Sequence, residues 1–394
     1  MSRRADVMVE SIVAGHWNGA GTNYIVQTPA GVLYMVFINT LSDVSFRKSV
    51  DNGLTWTQST VVFAGTATNL AVWYDRWSNI SAGLIHCVYT ESATDDTLYR
   101  TINTESSDAL STQTVIFAGA STAAGGHLSV TRAVGGNVYC KTVIDAGAEG
   151  GFYRLPNANV PSGAWDAART VDEAIATLDQ MVLLPDFDAA DTQDIMALFQ
   201  DASVTELSRK LYDDSANTWA ETSISAAITE LSTATAFANF AAAPDIANTN
   251  HVVVAWNATD AANQDLLCWT VDSGAITAKT DVVTNATDDC GLAAVSIDTV
   301  TGYWYVFYGG PSTGGSTWNT AMHIYYKVST DSGTTWGPET LLDIGGTFTL
   351  RHLYTCPRLV AGPPVAAWIR DAQTDDLMIS VDRTVPHAAS ALGV

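Results

Sequence analysis

Lysine is nearly missing from this chain. Only five of its 394 residues are lysine, and 18 basic residues face 41 acidic ones, a net charge of −23. Such an excess of negative charge repels nucleic acid and anionic membrane surfaces, so neither is expected as a partner. Also missing is any apolar run of the roughly 18 to 20 residues that a membrane-crossing helix needs. The first fifteen residues, MSRRADVMVESIVAG, hold no apolar stretch of the length used by secretory signals, so none is expected. Cysteine is sparse and unpatterned: Cys87, Cys140, Cys268, Cys290 and Cys356 are odd in number, widely spaced and without a CxxC pair. That excludes a zinc knuckle and a disulfide framework, and the apolar settings LIHCVY and NVYCKTV make core packing the expectation. The histidines show no metal-ligand spacing, and DFDAADTQD (186–194) matches a calcium loop only loosely, so no metal and no cofactor is expected. Helical periodicity is nearly absent; Trp165 to Leu184 is the one ambiguous stretch.

What the chain has in abundance is repetition. DVSFRKSVDNGLTWTQSTVVFAG (43–65) has a counterpart in DTLYRTINTESSDALSTQTVIFAG (96–119). Arg47, Arg100, Arg154 and Arg209 follow one another at steps of 53, 54 and 55 residues, each beside an apolar or aromatic strand, and Lys327 takes the equivalent place later. That period suits a propeller blade of four short strands with their turns. Runs of β-branched and aromatic residues mark seven hairpins: 32–38, 84–89, 138–143, 195–199, 252–256, 303–307 and 365–369. Their incomplete polar–apolar alternation is expected where blades pack face to face and bury both sides. VESIVAG (9–15) resembles the fourth strands STVVFAG (59–65) and QTVIFAG (113–119), while nothing comparable follows the last hairpin. The expectation is therefore one all-β domain over 1–394, a seven-bladed β-propeller of four-stranded blades. Its N-terminal strand, within 1–15, completes the last blade and removes an open edge. Residues 384–394 form a C-terminal tail.

Two segments share the pattern Ser-x-Asp-x-Gly-x-x-Trp: Ser49, Asp51, Gly53 and Trp56, and then Ser329, Asp331, Gly333 and Trp336. Asp bonds the turn's own backbone, Gly permits a positive φ, and Trp covers the hairpin. Worn copies end in Trp219 (213–219) and Trp165 (160–165). On these motifs the chain resembles the sialidase-like Asp-box, or BNR-repeat, propellers. The resemblance implies a structural role for the boxes, on the face away from an active site. It does not bring sialidase chemistry with it: the Arg-Ile-Pro motif near the N-terminus is missing, the blade count is seven rather than six, and no Tyr–Glu nucleophile pair can be placed. The catalytic residues stay unknown.

A ligand is expected on the face shared by the loops that enter innermost strands and those that join second to third strands. His16, Trp17, Asn18, Trp318, Arg351 and His352 are the candidate binding residues, with Asn23-Tyr24, Asp75-Arg76-Trp77, His127 and Asp288-Asp289 placed on the same face. Trp318 stands in a Gly/Ser-rich insertion (309–321), where a large aromatic offers a stacking platform. Three functions fit. The first is a non-catalytic module that recognises a neutral or weakly charged surface glycan. The second is a scaffold propeller that holds other proteins, and the third is a glycoside hydrolase or lyase on the same face. Asp-box propellers commonly work outside cells; with no export signal expected, a bacteriophage virion component (fibre, spike or tail) touching host polysaccharide is the expected setting, with a cytoplasmic protein as the alternative. Surface polysaccharide or other virion proteins would be its partners, with oligomerisation in the particle.

Overall fold

The computed structural model describes residues 6–11, 13, 24–75, 83–119, 128–142, 151–171, 180–201, 206–226, 228, 240–257, 264–286, 290–311, 322–343, 349–360, 363–371 and 375–382. Among them there is no α-helix, and no helix long and apolar enough to cross a membrane. Two short 3-10 turns, Asn157–Asn159 and Ile246–Asn248, interrupt an otherwise all-β chain.

Seven sheets, antiparallel except where Arg358–Leu359 pairs in parallel with Ile297 and Asp298 of the sixth, follow one another as the blades of a propeller. The first is built from Ile25–Gln27, Leu33–Ile38, Val44–Ser49 and Thr60–Phe63. The second uses Ala67–Tyr74, Leu84–Glu91, Asp96–Asn103 and Thr114–Phe117. The fourth uses Gln180–Pro185, Ile195–Asp201, Glu206–Asp213 and Thr218–Ser225. In the fifth, Phe240–Asp245, Asn250–Asn257 and Gln264–Val271 are edged by Ile276–Ala278 and Val283–Ala286. The sixth comprises Gly291–Asp298, Trp304–Pro311, Met322–Ser329 and Thr340–Leu341. The third has three regular strands, Leu128–Arg132, Val138–Thr142 and Phe152–Leu155. Its fourth position is taken by an irregular run in which Asp166 N donates to Arg154 O and Arg169 N to Phe152 O, both at 2.8 Å.

The seventh blade closes the ring. Thr349–Thr355, Val365–Asp371 and Asp375–Val381 come from the C-terminal end, and Val7–Glu10 supplies the outermost strand, pairing Val7 with Ile379 and Met8 with Met378. Val9 of that strand is buried like Val62 and Ile116 in the outer strands of the next two blades. The similarity of VESIVAG to STVVFAG and QTVIFAG is therefore a similarity of position.

The core is a set of sectors between neighbouring blades. Along Asn250–Asn257, Val252, Val254 and Trp256 pack toward the sixth blade, while Val253 and Ala255 pack toward the fourth. Both faces of a blade are buried, which is why these strands read as continuous apolar runs. Trp256 anchors its sector by donating from Nε1 to Leu292 O across the blade boundary, at 2.9 Å.

The regularly spaced cations sit in third strands and act as struts to adjoining blades. Arg47 holds Glu10 of the closing strand. Arg100 donates to Val62 O of the first blade, and Lys327 to Val282 O of the fifth. Arg154 reaches Asp214 of the fourth blade, and Arg209 the Asp272 and Ser273 carbonyls of the fifth. Where the strut ends on an outer-strand carbonyl, it also occupies an edge group that would otherwise be open to pairing.

Candidate functional site

The two Ser-x-Asp-x-Gly-x-x-Trp segments fold alike, each between the third and outer strands of its blade. Ser49 Oγ donates to Asp51 Oδ1 and accepts from Gly53 N; Ser329, Asp331 and Gly333 repeat this. Each aspartate then accepts the backbone N–H and the hydroxyl of the threonine four residues on, Thr55 or Thr335. Gly53 and Gly333 both have φ of 80°, which an L side chain rarely adopts. Burial works against ionising Asp51, but the bonds from Thr55, Ser49 and Leu54 outweigh it and hold its carboxyl down at about 2. Trp336 Nε1 donates to Thr280 O of the fifth blade, so this turn also joins neighbours.

A second recurring aspartate lies where innermost strands end. Asp75, Asp186, Asp245 and Asp298 follow or finish the inner strands of the second, fourth, fifth and sixth blades, and all four are buried. Asp186 accepts from Asp188 N, Asp245 from Asn248 Nδ2, and Asp298 from Val300 N, so these carboxylates organise the turns into second strands. Asp75 instead meets Arg132 of the third blade at 2.8 Å with both side chains fully buried. The guanidinium also donates to Gly136 O and Asn157 Oδ1. Beside this pair, His86 Nδ1 lies 2.7 Å from the Tyr99 hydroxyl while its Nε2 has no partner. Burial, then the nearby Arg132 charge, push the imidazole far below its ordinary range.

Asp75 therefore stands at the opposite end of the ring from the position expected of it. Ala67–Tyr74 is the inner strand of the second blade, so Asp75 leaves that strand rather than leading into it. Tyr24 is also a packing residue, fully buried with its hydroxyl donating to Leu70 O.

Of the candidate binding residues, His16, Trp17, Asn18 and Trp318 lie outside the described residues, as do Asn23, Arg76, Trp77, His127, Asp288 and Asp289. Arg351 is placed in the inner strand Thr349–Thr355, with its side chain outside the described part. His352 is half-buried in that strand, its ring lying parallel to that of Tyr354 at 5.9 Å.

A cavity of about 380 Å³ opens at the turn end of the fourth blade, against the fifth. Asp186 and Asp188 come from the turn after the inner strand, Asp194 from just before the second, Tyr212 and Trp219 from the third and outer strands, and Ser273 from the fifth blade. The rings of Tyr212 and Trp219 are 4.8 Å apart, and Trp219 is fixed by its Nε1 bond to Thr170 O. Arg169 holds the Tyr212 hydroxyl and the backbone of Asp214, whose carboxylate also binds Arg154. Burial, with Asp194 and Asp188 adding like charge, lifts the Asp186 carboxyl to about 6. Burial raises Asp194 as well. The cavity thus combines the Trp219 indole with four acidic side chains, Asp186, Asp188, Asp194 and Asp213, of which Asp186 is raised to about 6. Among the described residues, no three His, Cys, Asp or Glu side chains are grouped to hold a metal. All five cysteines are buried and free of disulfides.

Reading the residues alone did not assemble this site. One trace of it was on view in the sequence, the parallel LLPDF (183–187) and AAPDI (242–246), which marks equivalent turns.

No family model and no curated protein matches the chain. Among solved structures it is similar to a polysaccharide lyase, an ulvan lyase bound to -[GlcA(1-4)Rha3S]-, at 8% identity over 94% of this chain and 95% of that one, with a TM-score of 0.51. A Hadza microbial sialidase aligns at 12% identity over 97% of this chain and 69% of its own, TM-score 0.47. The Trypanosoma rangeli sialidase aligns at 10% identity over 96% of this chain and 59% of its own, TM-score 0.42. At 8% identity the likeness to the lyase is one of fold alone.

Proposed function

We propose that this propeller is a non-catalytic, Asp-box-type carbohydrate-binding protein that takes a neutral glycan. The observation that carries the reading is the cavity of the fourth blade. Its Trp219 ring offers a flat apolar face to the C–H side of a sugar, and Asp188 and Asp194 are acceptors for sugar hydroxyls. Neutral rather than acidic glycan follows from charge. Arg47, Arg100, Arg132, Arg154, Arg169 and Arg209 are all engaged with protein groups, such as Arg169 with Asp214 and Arg132 with Asp75, and none of the six lines the cavity to clamp a carboxylate or sulfate. The setting proposed with it is the surface of a bacteriophage fibre, spike or tail in contact with host polysaccharide. A closed, rigid ring with an acidic, lysine-poor surface suits that place.

One observation favours a hydrolytic second reading: a carboxyl lifted to about 6 beside other carboxylates is the pattern of an acid–base pair. Against it, Asp186 occupies the turn-organising place that Asp245 and Asp298 occupy in their blades.

The test is incubation of purified protein with a panel of neutral and acidic bacterial surface polysaccharides, reading retained protein and released sugar together. Retention of neutral polymers without release, lost in Trp219→Ala, is the expected result. Loss in Trp17→Ala or Trp318→Ala instead would move the site to the loop face. Release of oligosaccharide, abolished by Asp186→Asn, would make the protein an enzyme, and neither signal would favour a scaffold.

A further inference from the structure

In the fifth and sixth blades the turn that leaves the innermost strand is local. Thr249 N donates to Ile246 O and Gly302 N to Asp298 O, and the chain passes directly into its own second strand. The equivalent segment of the seventh blade, 356–360, directs its bonds to other blades. Ile297 N of the sixth blade donates to Pro357 O at 3.0 Å, and Thr299 N to Leu359 O at 2.9 Å. Ser296 Oγ donates to Cys356 O and Thr299 Oγ1 to Leu359 O. At the far end Val360 N donates to Gln27 Oε1 of the first blade at 2.7 Å. Proline is tolerated at 357 because that position contributes only its carbonyl.

Sheet order places this segment. In the sixth blade Arg358–Leu359 lies beyond Gly291–Asp298, the innermost strand, so it adds to that sheet on the side of the ring axis. Ile297 stands opposite Arg358 and Asp298 opposite Leu359, in the one parallel pairing among the described strands. Four residue steps, about 13 Å at the usual rise, then carry the chain from its contact with the sixth blade to its contact with the first.

The other closure lies at the rim. There Val7–Glu10 pairs with Asp375–Val381, Val9 is its one buried residue, and the Arg47–Glu10 contact is partly exposed. In the inner segment Cys356 and Leu359 are completely buried. Leu359 packs in one cluster with Leu353 of its own blade, Val26 of the first and Tyr305 of the sixth. Bonds at an exposed rim open by local fraying, whereas bonds over a buried core open only with the elements around them. The two closures share no residue and stand at opposite radii of the ring.

We infer that the ring is closed twice, and that 356–360 is an inner latch holding the sixth, seventh and first blades together without the N-terminal strand. That strand can then leave the rim while the ring stays closed, whatever ligand the propeller takes. The experiment is amide hydrogen exchange, read residue by residue on the full-length protein, for wild type, Val9→Thr and Gln27→Leu/Thr299→Val. Val9→Thr puts a hydroxyl on the apolar side of the outer strand with little change of shape, and the double variant removes two of the latch's side-chain bonds. Rates are taken relative to the Val253 amide of the fifth blade, which cancels any general loss of stability. In wild type the amides of 7–10 should exchange at least about tenfold faster than those of Ile297, Thr299 and Val360. Val9→Thr should speed 7–10 further and leave the three latch amides unchanged. The double variant should speed Val360 by about tenfold or more and leave 7–10 unchanged. Latch amides that exchange as fast as 7–10 in wild type, or that follow 7–10 in Val9→Thr, would show a single closure zipped from the rim and overturn the inference. So would a double variant whose latch amides exchange as they do in wild type.

Discussion

Arg47 of the first blade and Glu10 of the N-terminal strand meet at 2.8 Å, Nη2 to Oε2, with Arg47 Nε donating to the same oxygen at 3.0 Å. The pair spans the seam where the two ends of the chain close the ring. It is partly exposed, so its own contribution is modest, about 0.5–1 kcal/mol. The strand behind it matters more, because Val9 is buried and the pairing with Asp375–Val381 removes an open edge.

Two variants separate these effects. Glu10→Gln should lower unfolding stability by about 1 kcal/mol or less, and more weakly in high salt. Val9→Asp places a carboxylate in the core at the seam and should cost at least about 3 kcal/mol. Urea denaturation followed by tryptophan fluorescence reads both. Equal losses would mean that the ion pair, not strand burial, holds the seam.

The matched turns of the first and sixth blades give a graded prediction. Both glycines have φ of 80°, so alanine is strained at either. A Cβ on Gly53 would meet Val381 Cγ2 at 3.3 Å, a contact that a small shift relieves, whereas one on Gly333 would sit 2.6 Å from the Trp304 ring. Trp304 is almost fully buried and cannot withdraw. Gly53→Ala should cost about 1–2 kcal/mol, and Gly333→Ala clearly more, about 3 kcal/mol or above. The two sit in different blades, so a double variant should show near-additive losses. A larger loss in Gly53→Ala by thermal or chemical denaturation would contradict the packing argument.

The ring was legible in the sequence for a reason that the structure makes physical. Several blades repeat a buried outer-strand residue, as Val9, Val62 and Ile116 show, or a third-strand cation, as Arg47, Arg100, Arg154, Arg209 and Lys327 show. Periodicity transmits such features directly. What it does not transmit is which end of a strand a residue occupies when the strand itself goes unrecognised. The most apolar runs mark second strands, while the inner strand Ala67–Tyr74 begins with Ala-Thr-Asn and gives no such run, so Asp75 falls at the opposite end of the ring from the one expected. The cavity was illegible for a different reason. It is assembled from turns at 186–194, 212–219 and 273, and in a chain with 41 acids no spacing distinguishes Asp186 and Asp194 from the rest.

Acid should weaken the fold through histidine before it reaches the carboxylates of the turns. His251 is buried, with Nε2 at 2.8 Å from Pro185 O and its ring against Phe187. Burial pulls its titration down to about 4, from an ordinary value near 6.5. A depressed histidine stabilises the fold fully above the unfolded value and loses that contribution as pH falls through the folded one. Between pH 6.5 and 4 the wild type should therefore lose about 2–4 kcal/mol on this account. His251→Gln, which keeps a donor and cannot titrate, should flatten that part of the stability profile.

Asp186 works in the other direction. Its carboxyl is raised, so its contribution is fully present below pH 4 and lost as pH rises through about 6. Asp186→Asn should be more stable than wild type at pH 8, by at most about 2 kcal/mol after allowing for solvent screening, and indistinguishable at pH 4. Melting curves of the two proteins at pH 4, 6 and 8 test this; an advantage that grows on acidification would reverse the sign and refute the assignment.

The Asp75–Arg132 pair is the sharpest place to ask what a buried ion pair does in this ring. Both side chains have no solvent exposure, and the guanidinium is further held by Gly136 O and Asn157 Oδ1. Asp75→Ala leaves a buried cation short of its countercharge and should cost about 3–5 kcal/mol. Arg132→Met alone leaves the carboxylate buried and should cost a similar amount. Removing both charges, in Asp75→Leu/Arg132→Met, takes away the unpaired charge and should recover most of the loss, because the attraction within a buried pair roughly offsets its desolvation. His86 supplies an independent readout: the nearby Arg132 charge helps keep its imidazole neutral, so Arg132→Met should raise its titration toward the ordinary range, visible in histidine ring NMR signals. A double variant no more stable than either single one, with the His86 signals unmoved, would show that the pair contributes more to joining the second and third blades than its charges cost to bury.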